Sequence, residues 1–231
     1  MKEASIIITS YKQHEFCLKA VDSVKNNTNN VDYELIVVDD SHEPSSKLGQ
    51  WLIDLKDRKE IKLATLMGIN HGHRFATEMG ISLAKGEFLV FVNDDVEIPD
   101  VSKQWLRQLI DYLKENERVA SVTPASYHKD RTVYWVGITK YPGGHDFIRK
   151  PMDHPLLPKR PVECIYNNMA CFVTKKWYFD NGYGFNMLPD NVNHYGDDSG
   201  WSFQIMTKLK HVHMCLPHVW VFHHNIHYLR K

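Results

Sequence analysis

The chain has 231 residues, of which 43% are hydrophobic and 24% charged, so one globular domain with an ordinary apolar core is expected. Lysine plus arginine and aspartate plus glutamate both number 28, so no global field favours nucleic acid or an anionic membrane. The four cysteines, Cys17, Cys164, Cys171 and Cys215, have no CxxC spacing, which argues against a zinc cassette or a disulfide framework and favours a reducing cytoplasm. We expect no transmembrane segment, because no apolar run is long enough to span a bilayer.

Strand and helix patterns alternate through the first half of the chain. Buried strands are predicted at 4–9, 34–38, 61–66, 88–92 and 119–122. Helices with one apolar face are predicted around 16–24, 51–55, 72–84 and 105–113. Repeated strand–helix–strand units with short connections imply a mostly parallel sheet with right-handed crossovers, and therefore an α/β fold.

The alternation of strand and helix patterns is absent from about Ser126 to Pro161, a stretch rich in proline and glycine. We interpret it as an extended excursion with a strand around Val133 to Ile138, and long loops of this kind are usually functional. Strand and helix patterns return at 162–175, 201–209, 212–216 and 219–222. A single domain covering residues 1–231 is predicted.

Two of the predicted strands end in paired carboxylates. Asp39 and Asp40 follow the second strand, and Asp94 and Asp95 follow the strand at 88–92. Open α/β sheets bind ligands at the carboxyl ends of their strands, where a carboxylate can accept a base N–H, bind ribose or hold a divalent cation. The alternative is that these residues form turns or cap the helices that follow.

Six segments distributed along the chain form an ordered series of motifs. They are Ser5–Tyr11, Val37–Ser41, Asn70–Gly72 with Gly80 and Ala84–Glu87, Phe91–Val96 with Pro99, Gly196–Asp198, and Phe222–His224. The series resembles, in the same order, the motifs of family 2 inverting glycosyltransferases of the GT-A fold. The resemblance implies a Rossmann-like GT-A domain with a nucleotide-sugar-binding half at 1–124 and an acceptor-binding half at 125–231, which contains the irregular excursion.

The resemblance also implies a metal site. Asp95, the last acid of the segment similar to the family's DXD motif, would bind Mn²⁺ or Mg²⁺ together with His223, or with His224 as the alternative. Asp94 would face the ribose or share the metal. The cation would act as a Lewis acid on the diphosphate of the donor. An imidazole ligand is compatible with Mn²⁺ and less usual for Mg²⁺.

The nucleotide-sugar donor would contact residues of the first half. By the same resemblance Asp39 would accept the ring N–H of the base, Thr9 would line the base pocket, and Tyr11 would pack on the ring. Uracil, thymine and guanine all carry such an N–H, so the nucleotide stays open. Arg74, near the start of a helix, could meet phosphate, but Thr77–Glu78 stand where the family often has Arg-Asn, and a surface role is the alternative.

Asp198 is the residue that the resemblance places as the general base for the acceptor hydroxyl. Its position before the helix at 201–209 equally suits an N-cap, and Asp197 could share the two roles. The processive motif Q-x-x-R-W is absent from the sequence, which favours transfer of one sugar or a few. The acceptor is expected to be a glycan, a lipid-linked glycan or a similar hydroxyl compound, with no nucleic acid partner and with peripheral membrane association left open.

Three other functions compete with this interpretation. A sugar nucleotidyltransferase would normally have a glycine-rich loop after the first strand, and the sequence after Thr9 has no such loop. A degenerate transferase could act as a sugar- or partner-binding module, although the retained acids argue against decay. A separate histidine metal site could be built from His211, His213, His223, His224 and His227.

Overall fold

The computed structural model describes residues 2–41, 46–66, 70–137, 148–185 and 197–224, apart from the side chains of His14, Asp197 and Asp198. The helices of these ranges are α1 (His14–Asn27), α2 (Lys47–Asp57), α3 (His73–Leu83), α4 (Trp105–Glu115), α5 (Trp177–Asp180) and α6 (Asp197–Leu209), with a 3₁₀ turn at Asp100–Ser102. The strands are β1 (Ala4–Ser10), β2 (Tyr33–Asp39), β3 (Lys62–Thr65), β4 (Phe88–Asn93), β5 (Val96–Glu97), β6 (Val119–Tyr127), β7 (Val133–Trp135), β8 (Val162–Cys164), β9 (Cys171–Lys175) and β10 (Val212–His223).

The strands within the described ranges form one mixed sheet. Its main path runs β3-β2-β1-β4-β9-β6-β10-β5, with β7 added beside β6 and β8 beside β10. Strands β3, β2, β1 and β4 are parallel neighbours, and β10 is parallel to β6. Strand β9 runs antiparallel between β4 and β6. The mostly parallel α/β sheet expected from the sequence is confirmed.

Helices cover both faces of this sheet, and its central strands are therefore buried on both sides. One apolar core joins the sheet to α1, α2 and α4, and a second joins it to α3 and α6. Helix α3 packs very closely on β1: a Cβ atom at Gly80 would lie 2.4 Å from Ile7 Cγ2. This close packing fixes the N-terminus of α3 near the end of β1.

Two predicted elements differ in extent from the structure. Strand β6 continues to Tyr127 and is buried throughout, so the irregular excursion begins later than Ser126. The two strands predicted at 212–216 and 219–222 are one strand, β10, with a register shift between Leu216 and Trp220. Pro217 lies at that shift. Proline has no N–H to donate to the ladder, and a bulge is one of the places in a sheet that tolerate it. No helix among the described residues combines the length and apolarity needed to cross a membrane.

Candidate active site

The carboxyl ends of the parallel strands bring the predicted site residues to one edge of the sheet. Thr9, near the end of β1, is buried and lies opposite Val38 of β2 and Asn93 of β4. The next residues along the chain are Asp39, the last residue of β2, and Asp94, directly after β4, and they therefore flank the end of β1. This register places the two acidic pairs at one edge of the sheet.

Asp39 and Asp40 are both buried but have different partners. Asp39 Oδ1 accepts the Ser41 backbone N–H at 3.0 Å and the Ser41 hydroxyl at 2.5 Å. Asp40 accepts the backbone N–H groups of His71 and Gly72 at 2.9 and 3.0 Å, and its Oδ1 lies 2.8 Å from His71 Nδ1. Asp40 thus organises the turn before α3, whereas Asp39 is the last residue of β2 and its carboxylate binds only Ser41 among the described residues.

Asp95 and His223 are in direct contact although they are distant in sequence. His223 Nε2 lies 3.1 Å from Asp95 Oδ1, and both side chains are buried. His223 Nδ1 is buried without a hydrogen-bond partner in the described part of the chain. His224 instead contacts Glu97 Oε2 at 3.1 Å, so the structure brings His223, and not His224, to the Asp95 carboxylate.

Asp94, directly after β4, lies beside a second carboxylate. Burial and, second, the neighbouring Asp95 carboxylate raise the pKa of Asp94 to about 7. The Ser10 side chain, the Tyr11 backbone N–H and the charge of His73 act in the opposite direction. A cation beside these carboxylates would favour their ionised form.

The other two residues predicted for the nucleotide site, Tyr11 and Arg74, differ in their surroundings. Tyr11 follows β1 and is 38% exposed, so its ring is available to a ligand. Arg74 lies in the first turn of α3, where its Nε contacts Glu78 Oε1 at 3.3 Å. Sequence reasoning missed His73 and Ser10, whose side chains influence Asp94. The signal for His73 was its place directly after the Asn-x-Gly turn, at the first residue of a helix.

Asp198 is the second residue of α6, and its side chain lies outside the described residues, so its role as a base stays a prediction.

The helix that carries Asp198 is held by a buried polar network. His213 Nε2 contacts the Ser202 carbonyl of α6 at 3.0 Å, and His213 Nδ1 contacts Ser121 Oγ at 2.7 Å. Ser202 Oγ accepts the Asn167 backbone N–H at 3.1 Å. Burial lowers the pKa of His213 to about 4, so this imidazole is neutral.

The alternative of a separate histidine metal site is wrong for the described residues. His211 directly precedes β10 and His213 is its second residue, whereas His223 is its last, eleven positions after Val212. A strand of this length separates them by roughly 30 Å. No group of three or more His, Cys, Asp or Glu in the described ranges is arranged to hold a metal ion, and His227 lies outside those ranges.

The sequence matches the family profile described as Glycosyl transferase family 2 over residues 5–176. The chain belongs to glycosyl transferase family 2. No curated protein matches this family 2 chain. The matched region includes both carboxylate pairs and ends before α6, so Asp198 and His223 lie outside it.

Solved structures share the fold of this family 2 chain at low sequence identity. One is the mannosyltransferase PcManGT from Pyrobaculum calidifontis in complex with GDP-Man and Mn²⁺, with a TM-score of 0.64, 14% identity and coverage of 96% of this chain and 56% of that chain. Another is GalNAc-T7 with UDP, GalNAc and Mn²⁺, with a TM-score of 0.68, 16% identity and coverage of 96% and 44%. These likenesses show the GT-A fold, and this chain spans about half the length of either protein.

The donor atoms at the end of β4 fit a hard divalent cation. Asp95 provides carboxylate oxygen and His223 an imidazole nitrogen, a combination suited to Mn²⁺. His223 is buried beside Asp95 with one ring nitrogen unpaired, and Asp94 holds a second carboxylate next to it. Two protein ligands are few, and a diphosphate would have to supply others.

Proposed function

We propose that this chain is an inverting glycosyltransferase that moves one sugar from a nucleoside-diphosphate sugar to a hydroxyl group of a glycan or lipid-linked glycan. The observation that carries the proposal is the meeting of Asp39, Asp94, Asp95 and His223 at the carboxyl edge of one sheet. Membership of family 2 supports glycosyl transfer, and the two structural neighbours hold GDP-Man or UDP together with Mn²⁺.

In this proposal the donor's base and ribose bind at the ends of β1, β2 and β4. Asp39 accepts the ring N–H of the base, and among the described residues only Ser41 donates to this carboxylate, through Oδ1. Tyr11 packs its exposed ring on the base, and Thr9 lines the pocket. Asp94 faces the ribose. Uridine, thymidine and guanosine donors all satisfy the requirement for a ring N–H.

Asp95 and His223 would hold Mn²⁺ or Mg²⁺ beside the diphosphate. When bound, the cation would supply Lewis-acid stabilisation of the charge that develops on the leaving diphosphate. The protein's own contribution is to keep both ligands buried and in place. The backbone N–H of His224 donates to the Asp95 carbonyl at 2.9 Å, which fixes the end of β10 beside the end of β4.

Asp198 would take the proton of the acceptor hydroxyl as that oxygen attacks the anomeric carbon. The new carbon–oxygen bond forms on the face opposite the diphosphate, which leaves with the electron pair of the bond that breaks. The configuration at the anomeric carbon is therefore inverted. General-base assistance of this kind contributes roughly 10²–10⁴-fold in rate. The acceptor would lie against residues of the half at 125–231.

A reducing cytoplasm suits this enzyme. The four cysteines are buried free thiols. Free thiols of this kind are usual where disulfides do not persist.

The test is a screen of uridine, thymidine and guanosine diphosphate sugars for hydrolysis and transfer, with Mn²⁺ and with EDTA. We expect turnover with at least one donor in Mn²⁺ and loss of that turnover in the Asp95→Asn variant. Nucleotide binding without turnover in any donor would instead favour a binding module. Release of pyrophosphate from a nucleoside triphosphate and a sugar phosphate would favour a nucleotidyltransferase.

A further inference from the structure

Cationic residues are concentrated in two segments of a chain whose overall charges cancel. Residues 129–131 and 148–160 carry six lysines and arginines against two aspartates, whereas the whole chain has 28 of each sign. All six cations are exposed: Lys129, Arg131, Arg149, Lys150, Lys159 and Arg160.

Backbone hydrogen bonds bring three of these cations together at the tip of the β6–β7 hairpin. The Arg149 N–H donates to the Val133 carbonyl at 2.9 Å, and the Val133 N–H donates to the Lys150 carbonyl at 2.8 Å. The Met152 N–H donates to the Arg131 carbonyl at 2.8 Å. The segment after residue 148 is therefore held along the hairpin, with Arg131, Arg149 and Lys150 as near neighbours.

Aliphatic side chains are exposed among these cations. Leu156 is 73% exposed and Ile148 is 47% exposed. The Leu157 N–H donates to the His154 carbonyl at 3.0 Å, which holds Leu156 at a turn. We call Arg131, Ile148, Arg149, Lys150 and Leu156 the basic rim. A single exposed leucine is ordinary, but exposed aliphatic groups among cations are the composition of surfaces that lie on membranes.

The basic rim adjoins the candidate active site. The Tyr134 ring, next to Val133 in β7, lies 4.2 Å from the His223 ring and 5.4 Å from the His128 ring, measured between centroids. His128 follows β6 at the same edge, and after burial the nearby Arg149 is the main cause that lowers its pKa. A surface bound to the basic rim would therefore lie beside the end of β10.

We propose that the basic rim docks on an anionic lipid bilayer and presents the site to a membrane-anchored acceptor. The bilayer contact follows from the surface itself, and only the acceptor rests on the proposed function. A soluble polyanion would be bound by the cations and would leave Ile148 and Leu156 in water, whereas a bilayer accepts both groups. Asp130 keeps its negative charge, because its Oδ1 accepts the Thr132 N–H and hydroxyl at 2.9 and 2.6 Å, but the cations of these segments outnumber it.

The test measures co-sedimentation of the chain with vesicles of phosphatidylcholine alone and of phosphatidylcholine with phosphatidylglycerol. We expect binding to the anionic vesicles only, weakened by salt. The double variant Arg149→Glu with Lys150→Glu should reduce this binding by about thirtyfold or more, since each cation near an anionic surface contributes about a factor of five. Leu156→Ser should reduce it severalfold with little change in its salt dependence.

The matched control is Lys56→Glu with Lys59→Glu, which makes the same charge change at the end of α2, beside the β3 edge of the sheet. It should bind nearly as well as the wild type. An equal loss in the control would overturn the proposal, because net charge alone would then explain binding. The proposal would also be overturned if the wild type did not bind anionic vesicles. It would be overturned too if Leu156→Ser bound them fully and if dextran sulfate displaced this variant and the wild type equally.

Nucleotide calorimetry on the same preparations separates the two proposals. The basic-rim double variant should bind nucleoside diphosphate like the wild type, which shows that it is folded and that its loss of vesicle binding is specific. Asp39→Ala should lose nucleotide affinity and keep vesicle binding. Loss of vesicle binding in Asp39→Ala would contradict the proposal for the basic rim. A wild type that binds vesicles but no nucleotide would support the basic rim and contradict the proposed function.

Discussion

Asp39 and Asp40 are adjacent, but their alanine variants should fail in different ways because their partners differ. Asp40→Ala removes the acceptor of the His71 backbone N–H and the partner of His71 Nδ1, whereas the Gly72 N–H keeps Asn70 Oδ1 at 2.9 Å. Each buried group left without a partner costs about 1–3 kcal/mol. His71 is partly exposed, so water recovers some of this loss. We expect Asp40→Ala to lower the free energy of unfolding by about 2–4 kcal/mol.

Asp39→Ala should have a smaller effect on stability and a larger one on ligand binding. Among the described residues it removes an acceptor from Ser41 alone, whose backbone N–H and hydroxyl both donate to Asp39 Oδ1. A loss of about 1 kcal/mol of stability is expected. Affinity for the nucleoside diphosphate should fall by about 1–3 kcal/mol, because a charged partner of the ring N–H is lost.

Thermal unfolding and titration calorimetry with uridine, thymidine and guanosine diphosphate distinguish these outcomes. For a domain of this size Asp40→Ala should lower Tm by about 4–16 °C. Asp40→Asn, which keeps an acceptor oxygen, should lie between Asp40→Ala and the wild type. The assignment of roles is refuted if Asp40→Ala is as stable as the wild type, or if Asp39→Ala is equally destabilised and binds every nucleotide normally.

Three further predictions concern the metal ligands, the base and the buried network. Asp95→Asn and His223→Ala should each nearly abolish donor turnover while the fold persists, and full activity of either variant in EDTA would contradict the metal role. Asp198→Asn should reduce transfer at least about 10²-fold with stability changed by no more than about 1 kcal/mol, whereas a rate near that of the wild type would move the base elsewhere. Because burial lowers the pKa of His213 to about 4 while the unfolded chain takes up the proton near 6.5, the wild type should lose about 3 kcal/mol of stability as pH falls from 7 to 4. His213→Gln should remove that part of the pH dependence measured by urea unfolding, and an unchanged curve would exclude His213 as its source.

The sheet and the acidic strand ends could be predicted because they depend on local patterns. Short runs rich in β-branched residues, such as 34–38, are typical of buried strands, and parallel strands place their carboxyl ends at one edge. The family resemblance also pointed to Asp95 with His223 or His224, and the fold brings His223 to within 3.1 Å of Asp95. These inferences needed no knowledge of tertiary packing.

Other features depend on contacts between distant segments and could not be predicted. The different partners of Asp39 and Asp40 depend on the turn at 70–72, whose backbone N–H groups bind Asp40. The network of His213 and Ser202 joins β10 to α6, and nothing local in either segment indicates it. The continuation of β10 through Pro217 was missed because a proline ordinarily ends a strand, whereas here a bulge accommodates it.

The antiparallel insertion of β9 has a consequence for how the chain assembles. Strands β1 to β4 are linked by short local connections, whereas β9 must return from far along the sequence to pair with five residues of β4. Closing so long a loop is entropically unfavourable, so we expect the β4 edge to stay open until late in folding. That edge, Phe88–Val92, is apolar throughout and would be a template for pairing between chains. A fragment ending at Pro161 should therefore sediment as aggregates. In the whole chain, β9 pairs with β4 and covers this edge.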